Sequence, residues 1–116
     1  VRYANADERE ERKELYESIL RVVEYNTGDG FTAGMHLGSL VANRTRAGHD
    51  LDAIQTALKA ARENGDLLQY TDHEGRQRVT LTDDSSLLTV IKDEANREHP
   101  NEELIARCNK LRTQDK

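Results

Sequence analysis

The chain has 116 residues, of which 35% are hydrophobic, 34% charged and 4% aromatic, and a formal net charge of −5. That length suits one domain with a small aliphatic core. The absence of any apolar run near the roughly 20 residues that span a bilayer, and of a charged-then-apolar leader, makes a soluble cytoplasmic protein the expectation, with no membrane partner. A single cysteine, Cys108, has no partner for a disulfide and no metal-spaced neighbour, which agrees with a reducing compartment. The start at Val1 rather than methionine suggests a piece processed or excised from something longer.

Taken in order, residues 1–5 read as frayed. Residues 6–25 are strong helix formers with an apolar stripe at Leu15, Ile19, Val22 and Val23, and the charged half from Asp7 to Glu14 reads as solvated. Gly28 and Gly30 break this helix. Phe31 follows in a segment long enough for one β-bridge. Thr32 is then suited to cap a second helix over 33–44, buried along Leu37, Leu40 and Val41, in which Gly34 and Gly38 would let another backbone come close. Residues 45–49 form a short glycine-containing turn, and a short link forces adjacent helices into contact.

From Asp50 to Leu81 the pattern is sharpest. Leu51, Ile54, Leu58 and Ala61 recur at helical spacing, leaving Asp52, Gln55, Thr56, Lys59 and Arg62 on the wet side. Asp50 is placed to cap the helix through its carboxylate, and Asn64-Gly65 to stop it. The period then changes to two. Residues 68–71 and 78–81 alternate as strands with one covered face, joined by the polar loop 72–77 with its glycine, so a hairpin is expected. Beyond it, residues 82–86 offer several caps for a fourth helix over 85–98, buried along Leu87, Leu88, Ile91 and Ala95. Pro100 interrupts. A fifth helix over 101–112 carries Leu104, Ile105, Cys108 and Leu111 on one side, and the last few residues read as disordered.

Chemistry-bearing patterns are few. His36, His49, His73 and His99 stand singly, so no metal site is expected. Cys108 lies on an apolar stripe and reads as a small buried hydrophobe. No phosphate loop, nucleophile elbow or acid-base constellation occurs, so neither a cofactor nor an enzyme activity is expected. Charge is distributed unevenly. From Arg44 to Arg78 six basic and six acidic residues cancel, so the whole −5 lies outside that stretch. Arginine outnumbers lysine and aspartate nearly matches glutamate, a pattern that resembles the carboxylate-rich proteins of salt-in halophiles. That resemblance implies phosphate contacts that are weaker in native salt than at laboratory ionic strength.

The order helix, bridge, helix, turn, helix, hairpin resembles the winged helix-turn-helix superfamily over roughly residues 10–82, most closely in the segment from Ala57 to Leu68, where a leucine-containing turn is followed by acidic-x-Gly and aliphatic residues. The resemblance implies a mostly α fold with a small antiparallel β-hairpin: a winged helix-turn-helix domain over 1–82 and a C-terminal helical extension over 83–116 of the kind through which several such regulators dimerise. It further implies a sequence-specific DNA-binding transcriptional regulator, acting on double-stranded DNA as a homodimer. Gln55 is then suited to adenine, Lys59 to guanine or phosphate, and Thr56 to phosphate or a thymine methyl, with Arg62 on the same helix. Arg76 and Arg78 at the wing tip would meet phosphate or the minor groove, and Arg44 and Arg46 would anchor the backbone. Asp50 and Asp52 stand at the start of that helix, where regulators of this kind approach phosphate, and push the contact toward later residues. The competing expectation for Arg76 and Arg78 is cross-strand pairing with Asp72 and Glu74. The competing function is a winged helix that binds a protein partner within a larger assembly.

Overall fold

The computed structural model describes residues 6–27 and 34–114. In chain order these form α1 (Ala6–Thr27), β1 (Met35–His36), α2 (Leu37–Arg46), α3 (Leu51–Glu63), β2 (Leu67–Thr71), β3 (Gln77–Leu81), α4 (Asp84–Ala95) and α5 (Glu102–Gln114). The described residues are mostly helical, with one antiparallel sheet of order β1-β3-β2. This order is compatible with a helical body carrying a small β wing. Four expectations, the frayed start at 1–5, the glycine break at Gly28 and Gly30, the bridge at Phe31 and the cap at Thr32, fall outside the described residues, as do positions 115 and 116.

The helical core follows the predicted stripes. Leu15, Ile19 and Val23 of α1, Leu40 of α2, and Ile54, Leu58 and Ala61 of α3 pack around Met35, Leu67 and Val79 of the sheet, while Arg9 to Glu14 of α1 are exposed. Two details of α3 differ from expectation. Asp50 occupies the N-cap position, but its side chain makes no capping hydrogen bond. Leu51, the first residue of the helix, is 49% exposed, whereas Ile54 at the end of the same turn is fully buried. The stop is as expected: Gly65 takes φ +79°, and the Asp66 and Gly65 N–H groups donate to the carbonyls of Ala61 (2.9 Å) and Arg62 (3.1 Å), the paired bonds of a Schellman ending. The Tyr16 hydroxyl donates to the Asp66 carboxylate and accepts from Asn64 Nδ2 at 3.1 Å, which ties α1 to this stop.

The strand before α2 is where the sequence misleads most. Residues 33–36 were expected to open a helix, yet Gly34 has φ +67°, and Met35 and His36 run as a strand paired with Val79 and Arg78. A left-handed residue cannot sit inside a helix, so α2 starts only at Leu37. The close approach expected of Gly34 is real: a Cβ there would lie 2.4 Å from the Val79 carbonyl oxygen, whereas one on Gly38 would meet nothing within 4 Å.

The hairpin is covered on both faces, not one. Pairing of Leu67 with Leu81, Gln69 with Val79 and Thr71 with Gln77 places those residues on the side of α1 and α3. Leu68 and Tyr70 point the other way, into a second core with Leu87 and Val90 of α4 and Leu104 and Cys108 of α5. Burial in that core pushes the Cys108 thiol and the Tyr70 phenol pKa values up. The buried side of α4 runs through Ser86, Leu87, Val90 and Glu94, so the expected stripe is turned: Ala95 is exposed, and Leu88 and Ile91 are half-buried. Glu94 accepts the Asn101 N–H (3.0 Å) and faces Arg97, which also binds Asp93 at 2.8 Å; Asn101 in turn accepts the Leu104 N–H at 3.1 Å. These bonds hold α5 against α4. The apolar sides of both helices therefore cover this chain's own sheet. Among the described residues no helix is long and apolar enough to cross a membrane.

Gly34→Ala is expected to lower stability by about 2 kcal/mol or more, since a left-handed alanine is strained and the Val79 carbonyl must move. Gly38→Ala, helical and unobstructed, is expected to raise it by up to about 1 kcal/mol. Urea unfolding of the two variants reads both, and the opposite signs test the different roles of two glycines four residues apart.

Candidate functional site

Along α3, Gln55, Lys59 and Arg62 succeed one another at spacings of four and three, so they share one flank, whereas Asp52, Thr56 and Glu63 fall on the neighbouring, outermost row. All six are exposed. Lys59 lies 3.9 Å from Glu63 in an ion pair whose side chains are about two-thirds exposed, a contact of small energy. The Thr56 hydroxyl donates to the Asp52 carbonyl at 2.8 Å and is thereby tied to its own helix.

The flank that carries Gln55 and Arg62 faces the hairpin. Arg62 Nη1 donates to Gln69 Oε1 (2.7 Å), Gln69 Nε2 to Gln77 Oε1 (3.0 Å) and Gln77 Nε2 to the Thr71 hydroxyl (2.6 Å). This relay crosses from the end of α3 over both strands. It borders an open groove of about 600 Å³ whose floor includes Leu37, Val41 and Leu58 and whose walls are Gln55, Arg62, Gln69, Gln77 and Arg107. Among the described residues no carboxylate lines it. Gln69, Thr71, Gln77 and Arg107 were not singled out from sequence. The strand period of two carries a signal for the first three, which share the face of Val79.

Arg76 and Arg78, expected together at the wing tip, are separated. Arg76 is exposed in the loop, 3.9 Å from Glu74. Arg78 lies within β3 opposite Tyr70, and parity turns it to the α4 side, away from α3. Only 16% of its side chain is exposed; Nε donates to Asp72 Oδ2 at 3.1 Å, Nη1 to the Gly34 carbonyl at 3.3 Å, and Nη2 lies 3.4 Å from His36 Nε2. Its place is thus inside the fold, and the placement of Arg78 at a wing tip is corrected by the strand's period of two. Of the remaining expected anchors, Arg44 is half-buried and donates twice to Asn43 Oδ1 (2.9 and 2.6 Å), while Arg46 is exposed at the end of α2. The two lie in the last turn of α2, where cations suit the helix dipole. Among the described residues no group of three or more His, Cys, Asp or Glu is placed to hold a metal ion.

Asp72 organises the loop. Its Oδ1 accepts the N–H groups of Glu74 and Arg76 at 2.9 Å each, its own N–H donates to the Arg76 carbonyl at 2.8 Å, and its Oδ2 holds Arg78. Burial pushes the carboxyl pKa up, but the two backbone donors and the Arg78 guanidinium outweigh this and leave it below the usual aspartate value. A depressed folded pKa means that the stabilisation is complete above the unfolded value and is lost as pH falls through the folded one. Wild type is therefore expected to lose stability as pH drops below about 4, and Asp72→Asn to lose about 2 kcal/mol at neutral pH while responding less to acid; thermal melts from pH 7 to pH 2 check both. Comparison with family models, with curated proteins and with solved structures finds no match for the chain, so the residues of the groove themselves carry its functional reading.

Proposed function

We propose that this protein binds double-stranded DNA in the manner of a winged helix-turn-helix regulator, with α3 in the major groove and the β2–β3 loop against the backbone. The observation that carries the reading is the exposed flank Gln55, Lys59, Arg62 of α3, an amide and two cations beside a groove shared with the wing strands that no carboxylate among the described residues lines. Gln55 supplies the donor and acceptor pair that matches adenine, and Lys59 reaches guanine or phosphate. Thr56, with its hydroxyl tied back to Asp52, presents its methyl to thymine. Arg46 and Arg76, both exposed, supply backbone contacts from two sides of α3. Arg78 acts indirectly, by holding Asp72 and so the loop that carries Arg76. A single module with so few cations binds weakly, and two copies on adjacent half-sites raise the affinity through effective concentration.

A second reading has its own support. Asp50 at the N-cap of α3 and Asp52 and Glu63 on it are exposed beside the cationic flank, and a mixed surface of this kind fits a protein partner as part of a larger assembly.

Selection from a random duplex pool followed by anisotropy titration separates the two. DNA binding predicts an enriched sequence, a loss of about 1–3 kcal/mol of base discrimination in Gln55→Ala, and a weaker, sequence-independent loss in Arg76→Ala that shrinks with added salt. Wild type that shows no salt-sensitive duplex binding defeats the DNA reading and leaves the protein-partner reading standing.

A further inference from the structure

Beside the α3 groove lies a second cleft, of about 340 Å³, bounded by the end of α3, the outer side of β2 and the last turns of α5. Arg62, Gln69 and Arg107 line both, so the two are continuous along β2. Arg107 and Lys110 stand three residues apart on α5, hence on one side of it, and are exposed. With Arg62 they make three cations around the cleft, which no Asp or Glu among the described residues lines; Asp66 lines the neighbouring cleft on the side away from β2, where Tyr16 binds its carboxylate. Among the described residues none of the three forms an ion pair, in a chain with 22 acidic residues; Glu63, adjacent to Arg62, faces Lys59 instead. Arg62 is held by the neutral Gln69 amide, which orients the guanidinium and leaves its charge uncompensated.

We propose that this cleft seats the phosphate backbone of the bound nucleic acid, with Arg107 and Lys110 making α5 a third contact element beside α3 and the wing. The inference rests on the DNA reading above and extends it to a helix expected only to mediate dimerisation. The channel follows the five residues of β2, a length of about 17 Å, enough to take a short run of consecutive phosphates of one strand. Cations spaced along such a channel, with no carboxylate among them, suit a linear polyanion and carry no base information. The apolar sides of α4 and α5 lie on the sheet, so α5 has its polar side available to an anionic partner.

The test is the salt dependence of binding to a fluorescein-labelled 20-base-pair duplex of random sequence, for wild type, Arg107→Ala/Lys110→Ala, and the control Arg21→Ala/Lys92→Ala, which removes the same net charge from exposed positions on α1 and α4. Far-UV circular dichroism verifies that each variant is folded. The α5 variant is expected to bind roughly tenfold or more weakly near 0.1 M salt and to lower the slope of log K against log salt by about two, one per phosphate contact. The control is expected to stay within about twofold of wild type. Duplex binding by wild type with an unchanged slope in the α5 variant, or with equal losses in variant and control, overturns the role of α5 and leaves the α3 reading intact. Absence of duplex binding by wild type overturns both.

Discussion

Everything in this fold depends on the register between β2 and β3. Successive strand residues face opposite ways, so a slip of one position would carry Val79 out of the helical core and drive Arg78 into it. In the observed register Val79 and Thr80, neighbours in β3, are both fully buried, one against α1 and α3 and the other against α4. Both faces are covered, so Val79 would stay buried after a slip; what disfavours the wrong register is the Arg78 guanidinium, which would enter the apolar helical core and lose Asp72. Asp72 adds a geometric constraint by binding the two N–H groups that follow it in the loop and the guanidinium opposite. A carboxylate at the turn thus determines which residues the strands present to each helical layer.

Because β3 is the middle strand, its partners on either side follow from the same geometry. β1 lies close enough to β3 that only a glycine fits at position 34. On the other side β2 remains the outer strand, flanked by the end of α3 and by α5. The covering of the second face by α4 and α5 has a structural consequence: it brings Arg107 and Lys110 to the strand that already receives Arg62. Surfaces far apart in sequence become one channel because the sheet has two apolar faces and both need cover.

The net charge of −5 is a poor guide to such a surface. Carboxylates occupy the outermost row of α3, the exposed half of α1 and the first turn of α5, while the two clefts along β2 contain arginine, lysine, amides and hydroxyls. Attraction of a polyanion depends on the local field of a concave, carboxylate-free channel more than on the sum over the molecule. Arg78 shows the converse. A cation that looks available in the sequence is bound by Asp72, the Gly34 carbonyl and the His36 ring, and its charge serves the hairpin.

Local periodicity by itself determined the helices, the stop at Asn64-Gly65 and the hairpin, because hydrophobic spacing and glycine conformations are properties of the nearby chain. Ile54, Leu58 and Ala61 were legible as buried, and Gln55, Thr56, Lys59 and Arg62 as exposed, for that reason. The adjacent leucines 67 and 68 carried an unread signal, since two consecutive apolar residues in a strand imply cover on both faces. Periodicity does not state which distant element supplies that cover. Only the tertiary structure decided that Met35–His36 pairs with β3 as a strand, that α4 is turned to bury Val90, that Arg78 faces inward, and that Arg107 of α5 lines the same cleft as Arg62 of α3. Each of these was chosen by the packing of whole elements, and no property of a short window distinguishes it from its alternatives.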